Sequence, residues 1–194
     1  MDACIGQLER WGVGQQGAGG EIPVSGVYGI PEQWPHVRAL YERAGFAHTG
    51  HTEIVCLARV GDLRRPGGPP IPGLEARRTV GMNGTRLSAV LGPETIGYIE
   101  VETFEEAERL SRHGGWADIG NLRVAPQYRR RGVGTWLLGQ AADWLSLAQV
   151  DRLLGYARAD GRDDADRRAF LPAVGFRELT RTRRGWTRKG RDDH

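Results

Sequence analysis

The stretch that most constrains this chain runs from Ala117 to Ala148. It opens with Ala117-Asp118-Ile119-Gly120-Asn121-Leu122-Arg123-Val124. It then turns through Ala125-Pro126-Gln127-Tyr128 and Arg129-Arg130-Arg131-Gly132-Val133-Gly134, and enters an apolar run at Thr135-Trp136-Leu137-Leu138. Val133, Trp136, Leu137, Ala141, Trp144, Leu145 and Ala148 recur at three-and-four spacing, the period of a single buried helical face. The order is therefore strand, tight loop, helix, and the loop is the first turn of the helix. Gly132 and Gly134 allow positive φ and close approach of a ligand, while the unpaired amides and positive dipole end of a helix start favour an anion. With three arginines beside it, the loop reads as a pyrophosphate cradle.

The strand ahead of the loop carries a phase slip. Leu122 and Val124 share a face by alternation, whereas Ile119 falls on the other, and one extra residue at Gly120-Asn121 repairs the pattern. Glycine inside a strand often marks such a bulge, which frees an amide from the ladder. The alternative is that Ile119 is buried in a strand covered on both faces.

Arg129-x-x-Gly132-x-Gly134, preceded by a strand ending in Val124-x-Pro126, resembles the acyl-coenzyme A loop of the GNAT superfamily of N-acyltransferases. The short pattern alone also fits a solvated basic turn, so its context carries the resemblance. The resemblance implies that the strand splays from its neighbour and offers amides to the pantetheine arm and thioester carbonyl. It places the backbone amide near Leu122 at the carbonyl and Leu122, Arg123 and Val124 along pantetheine. Arg129, Arg130, Arg131, Gly132, Val133, Gly134 and Thr135 fall at the pyrophosphate. Acetyl-CoA is the implied cosubstrate and a primary amine, on a small molecule or a protein, the implied acceptor.

At 194 residues the chain is long enough for one full core, or one core and a partial one. A hydrophobic content of 39% beside 26% charged residues is that of a globular protein. No run approaches the roughly 18 apolar residues of a membrane span, and the N-terminus lacks a signal-peptide pattern, so a cytoplasmic protein is expected. Cys4 and Cys56 match no metal or redox spacing, which fits a reducing compartment and no metal site. The formal net charge is only +3, and the C-terminal cluster of Arg181, Arg183, Arg184, Arg188, Lys189 and Arg191 is broken by Thr, Gly and Trp and closed by Asp192-Asp193. That pattern suits a solvated edge strand better than a nucleic-acid surface. A homodimer is left open.

Along the chain, residues 5–11 read as the end of an amphipathic helix stopped at Gly12, and 14–20 as a loose glycine-rich stretch. Val24–Ile30 reads as a short strand, and a helix starting among Pro31–Pro35 carries Val37, Leu40, Tyr41 and Ala44 on one face. Phe46–Val60 reads as a strand. Arg38–Phe46 aligns with Arg168–Phe176 at a constant offset of 130 residues, each a helix ending in Gly-Phe before a strand. Residues 1–62 are therefore expected to be a partial copy of the later domain, the second half of a GNAT-like fold. Pro66-Gly67-Gly68-Pro69-Pro70 marks residues 63–73 as a linker, 74–190 as the acyltransferase domain and 191–194 as a tail. Within 74–190, strands at Leu74–Val80, Thr85–Leu91 and Thr95–Glu102 form a meander. A Glu-rich connection at 103–115 follows. Beyond the central stretch come a strand at Arg152–Ala157, an acidic loop at Asp160–Asp166, a helix at Arg167–Val174, and a hairpin or paired strands over Phe176–Lys189. The fold class is α/β (α+β), a mixed, largely antiparallel GNAT-like sheet flanked by helices, with an N-terminal half-GNAT segment.

The resemblance also exposes gaps. The tyrosine that usually donates a proton in this family follows a phenylalanine on the last helix, and here that slot is Leu171 after Phe170. Tyr156 is the substitute candidate, and Tyr41, in the matching place of the partial copy, is read as packing. Glu102 and Asp118 are the leading candidate bases, with Glu100 and His113 nearby, because an amine of pKa near 10 needs a proton acceptor. The acidic stretch of Glu100, Glu102, Glu105, Glu106 and Glu108 suits a cationic amine. The family's two helices between its first strands have no room in Gly81-Met82-Asn83-Gly84. This predicts an uncovered apolar sheet face and an acceptor wall supplied by residues around Tyr28–Tyr41. The rival to an active enzyme is a CoA-binding structural or sensing module, which a missing tyrosine permits.

Overall fold

The computed structural model describes residues 2–21, 26–82, 84–103, 115–161 and 164–190. Expectations for 22–25, Asn83, the connection 104–114 with Glu105, Glu106, Glu108 and His113, residues 162–163 and the tail from Arg191 lie outside the described residues. The chain divides into two compact units, one of Met1–Val55, Ala157–Ala165 and Glu178–His194, the other of Cys56–Tyr156 and Asp166–Arg177.

The first unit contains α1 (Asp2–Arg10), β1 (Gln15–Ala18), β2 (Ile30–Pro31), α2 (Pro35–Arg43), the start of β3 (Ala47–Arg59) and most of β9 (Arg177–Lys189). The glycine-rich 14–20 stretch is not loose, because strand pairing needs only backbone groups. β1 pairs antiparallel with β9 at Gln15↔Lys189 through Ala18↔Trp186, and the buried Gln16 accepts a 2.9 Å hydrogen bond from Arg188. Nor is the C-terminal segment a hairpin or a solvated edge. β9 is a single strand of 13 residues lying between β1 and β2 on one side and β3 on the other. Three of its arginines are ion-paired, Arg184 with Glu53 at 3.2 Å, Arg188 with Glu9 at 2.7 Å and Arg181 with Glu178 at 2.8 Å. Ile30, Phe46 and Trp186 form the core, with Ile5, Ala18, Val37, Tyr41 and Ala44 packed on it. Leu40, expected on the same face, is exposed. The Tyr41 ring lies 5.4 Å from Trp186 and Tyr28 lies under Arg184, so both tyrosines are engaged within this unit.

The 130-residue repeat has a geometric counterpart. Phe46 N–H donates to Tyr41 O at 3.0 Å, and Phe176 N–H donates to Leu171 O at 3.0 Å. Gly45 and Gly175 both take positive φ, at 82° and 106°, the left-handed helix stop that glycine permits. Each stop leads into a strand of 13 residues, β3 or β9, at the same offset.

The second unit holds β4 (Leu74–Gly81), β5 (Gly84–Leu91), β6 (Glu94–Thr103), β7 (Trp116–Val124), α3 (Val133–Leu147), β8 (Arg152–Arg158, mostly) and α4 (Ala165–Ala173, mostly). Strand order is β8-β7-β6-β5-β4, with β7 and β8 parallel and the other neighbours antiparallel. A two-residue turn joins β5 to β6, as the Leu91↔Glu94 register requires, and the β4–β5 ladder reaches the Gly81↔Gly84 pair.

α3 packs on β5, β6 and β7 and is buried over a wider arc than one face. Leu138, Gly139 and Ala142 are buried beside the expected Val133, Trp136, Leu137, Ala141 and Leu145, whereas Ala148 is exposed. The second buried flank is covered by residues 64–70. A Cβ on Gly139 would stand 3.1 Å from Pro66, and one on Gly132 would stand 3.2 Å from Pro70. Arg65 fixes this strap with hydrogen bonds to Asp143 at 2.8 Å and Ser146 at 3.1 Å, while Leu63 and Ile71 are buried at its ends. No helix of the described residues is long and apolar enough to cross a membrane.

Candidate functional site

The central strand has the bulge that its apolar phase predicts. Glu100 pairs with Asn121 but Val101 pairs with Ile119, leaving Gly120 as the extra residue. Ile99↔Leu122 and Val101↔Ile119 therefore share one face, and Ile99, Val101 and Ile119 are buried. On its other side β7 pairs with β8 only at Trp116↔Arg152, Ala117↔Leu153 and Asp118↔Leu154, although β7 runs on to Val124. The two parallel strands thus part beyond Asp118, and the backbone of Ile119–Val124 has no strand partner on that edge among the described residues. This opening contains Leu122, Arg123 and Val124.

The chain leaves the opening through a 3-10 turn at Pro126–Tyr128 and enters α3 at Gly132, whose φ is 82°. No side chain caps α3, so the first-turn amides of Val133, Gly134 and Thr135 remain available for an anion. Gly134 does not take the positive φ expected of it. Its missing side chain instead admits the Phe170 ring, 3.5 Å from where a Cβ would be. The second left-handed residue is Arg130, φ 60°, which composition could not single out. Arg129 braces the loop, donating from Nε to Val124 O at 3.1 Å. Arg131 lies 5.8 Å over the Tyr128 ring, and the Tyr128 hydroxyl donates to Glu94 at 3.2 Å. Bracing and uncapped amides together fit a bound pyrophosphate.

The candidate acid and base meet at the mouth of the opening. Asp118 is 4% exposed, and burial, followed by the negative charge of Glu102, pushes its carboxyl up to about 6. The Tyr156 hydroxyl donates to Asp118 Oδ2 at 3.3 Å and opposes that rise, while Oδ1 has no hydrogen-bond partner among the described residues. Glu102 pairs across the ladder with Asp118 and is exposed. Glu100 is committed elsewhere. It is 1% exposed and accepts from Asn121 at 2.9 Å, Arg86 Nε at 2.8 Å and the Met82 amide at 3.2 Å. Burial alone would raise the Glu100 carboxyl, but these bonds and the Arg86 charge hold it below its ordinary value. Leu171, which follows Phe170 on α4, is buried against Gly155 and offers no proton.

The sheet face opposite α3 corrects the expectation of bare apolar surface. Arg78 lies over Trp144 of α3, which fixes the face of Arg78, Leu87, Ile99 and Leu122 as the helix side. Alternation then puts Thr79, Arg86, Ser88, Tyr98, Glu100, Asn121 and Arg123 on the other side, so that face is polar. The phase of the short strands hid this, because Ser88 and Glu100 are themselves buried.

The family model described as the acetyltransferase (GNAT) family matches residues 65–176. No curated protein sequence matches the chain. A tandem GNAT protein from the clavulanic acid biosynthesis pathway aligns with TM-score 0.72 at 14% identity, over 98% of this chain and 69% of its own. The glucosamine N-acetyltransferase region of a fungal multi-domain GH3 β-N-acetylglucosaminidase gives 0.61 at 15%, over 95% of this chain and 27% of that one. A GCN5-related N-acetyltransferase from Sphaerobacter thermophilus gives 0.58 at 17% identity and 84% of this chain. The chain spans 60% of the Sphaerobacter protein and 59% of a similar Drosophila protein.

Proposed function

Because the chain belongs to the GNAT acetyltransferase family, we propose that it is an N-acyltransferase that moves an acetyl group from acetyl-CoA to a primary amine by direct attack in a ternary complex. The observation that carries this reading is the parting of β7 from β8 beyond Asp118, next to the uncapped start of α3. Bound acetyl-CoA would supply the acyl group as a thioester. Val133, Gly134 and Thr135 amides with Arg129, Arg130 and Arg131 would hold its pyrophosphate. Leu122 to Val124 would run along its pantetheine, and the amide near Leu122 would steady the developing oxyanion.

Asp118, with Glu102 beside it, takes the proton of the attacking amine on its free Oδ1, directly or through water. The new bond is nitrogen to carbonyl carbon and the broken bond is carbon to sulfur. Tyr156 gives its phenol proton to the departing thiolate and recovers one through solvent, to which Asp118 releases the proton it took from the amine. Proton count and charge balance over the cycle. Leu171 in the tyrosine slot favours a second reading, in which the site binds CoA without turnover.

Measuring free thiol release from acetyl-CoA across a panel of primary amines tests the proposal. Amine-dependent release supports it. Thermal stabilisation by acetyl-CoA with no release from any amine would leave the binding module.

A further inference from the structure

The polar sheet face is ordered by charge. Arg77, Ser88, Tyr98 and Arg123 are cross-strand neighbours in one row, and Thr79, Arg86, Glu100 and Asn121 form the next. Beyond the bulge comes the Glu102↔Asp118 pair, with Tyr156 bonded to Asp118. The hydrogen bond from Asn121 to Glu100 and the stacking of Arg86 on Tyr98, 4.5 Å from its ring, confirm that the rows share a face. Successive rows are two residues apart, so the outer rows are separated by about 13 Å.

Charge along this line runs from positive to neutral to negative. Arg123 is exposed, and no carboxylate pairs with it among the described residues. Arg86 and Glu100 neutralise one another at 2.7 Å. Asp118 and Glu102 are both acidic, and the buried Asp118 keeps an unpartnered Oδ1. A groove of about 440 Å³ covers the cationic part, lined by Thr79, Arg86, Ser88, Tyr98, Arg123 and Ala125 among others. That volume is within the range of small-molecule sites.

We propose that this face is the acceptor subsite and that it selects an extended amine carrying a carboxylate at its far end. The amine is placed at Asp118 and Glu102, the carboxylate at Arg123, and the chain between them crosses the neutral Arg86–Glu100 pair. A plain alkylamine leaves the Arg123 guanidinium without a partner, and a diamine sets like charge against it. The assignment of the amine end rests on the acyltransfer reading; the preference for an anionic tail rests on the face itself.

The test is calorimetric titration of the full chain, saturated with unacylated CoA, with 8-aminooctanoate, octylamine, 1,8-diaminooctane and 4-aminobutanoate. The 8-aminooctanoate ion separates its charges by about 10 Å, and the flexible side chains close the remainder. Its affinity should exceed that of octylamine and of the diamine by about tenfold, and 4-aminobutanoate, too short to reach both ends, should show no such gain. Arg123→Gln should erase the preference and Arg123→Lys should keep part of it. Equal affinities for the three eight-carbon amines in the unmodified protein would overturn the proposal. So would a preference that survives in Arg123→Gln, or a variant whose only loss is in CoA affinity. Thiol release from acetyl-CoA with the same amines is read separately. An anionic preference in binding with no release would sink the acyltransfer reading and leave this one standing.

Discussion

Tyr156 donates its hydroxyl to Asp118 Oδ2 across 3.3 Å, linking β8 to β7 where the ladder between them ends. The two residues are 38 positions apart in sequence, and neither distinguishes itself in the sequence alone from an ordinary strand residue. Their contact joins the two proposed groups, the base and the acid, and leaves the buried Asp118 Oδ1 without a hydrogen-bond partner among the described residues.

Asp118→Asn should separate stability from activity. The carboxyl titrates near 6 in the fold against 3.8 in the unfolded chain, so the native state binds the proton more tightly. Its stability penalty is absent below about pH 4, grows as pH rises through that window, and is complete above about 6, where it amounts to about 3 kcal/mol. The asparagine variant removes the penalty and keeps an oxygen for Tyr156. Its melting temperature should exceed that of the unmodified protein at pH 8 and match it near pH 4, while amine-dependent thiol release falls by about a hundredfold or more. A variant no more stable at pH 8 than at pH 4, relative to the parent, would contradict the burial of a charged Asp118.

Tyr156→Phe removes the proton but keeps the ring. If Tyr156 protonates the thiolate, kcat should fall by about ten- to a hundredfold with little change in KM for acetyl-CoA. Equal rates from pH 6 to pH 9 would eliminate Tyr156 as the acid and leave solvent as donor. Leu171→Phe is the matched control. It adds volume where Leu171 Cδ2 already stands 3.0 Å from the position of a Gly155 Cβ, so it should lower the melting temperature without lowering the rate per folded molecule.

The loop predictions follow from φ at Gly132 and from charge at Arg130. At Gly132, φ 82°, a β-branched side chain is strained, and its Cβ would stand 3.2 Å from Pro70 of the strap. Gly132→Val should therefore lose acetyl-CoA stabilisation together with some fold stability. Arg130→Gly is the cleaner probe, since Arg130 is exposed and itself left-handed at φ 60°. Glycine there relieves strain of about 1 kcal/mol but adds chain entropy to the unfolded state, so the melting temperature should hardly move. Acetyl-CoA should bind about three- to tenfold more weakly, with the loss shrinking in high salt. Unchanged affinity would remove the Arg130 guanidinium from the pyrophosphate site.

What the sequence disclosed of this site was local. The bulge at Gly120 follows from the phase of Ile119 against Leu122, and the helix start from Gly132 ahead of an apolar period. What it hid depends on partners distant in the chain. β1 is held by backbone bonds to β9, which a glycine-rich composition cannot advertise. The strap at 64–70 looks like a linker by its prolines, yet Pro66 lies against Gly139 of α3 and Pro70 against Gly132 at its start. The polar face became visible only when the registers placed Arg86 beside Glu100 and Asn121. Tyr156 reached Asp118 for the same reason, through pairing of β7 with β8 rather than any spacing along one strand.

Residues 1–55 are expected to be indispensable to the ordering of β9 (Arg177–Lys189). A fragment of residues 72–194 keeps β9 but deletes β1, β2 and β3, its strand neighbours within the first unit. Trp186, 1% exposed in the intact chain, loses Ile30, Phe46 and Tyr41, while Arg184 and Arg188 lose Glu53 and Glu9. An unpaired strand with an uncovered tryptophan is a template for aggregation. The fragment also lacks Val60, Leu63 and Ile71, three buried residues of the second unit. It should therefore express as aggregate or as a species with weak near-ultraviolet dichroism, and its melting transition should be broad. Recovery of a monodisperse fragment with a sharp transition and the amine selectivity of the whole chain would show that residues 1–71 are dispensable.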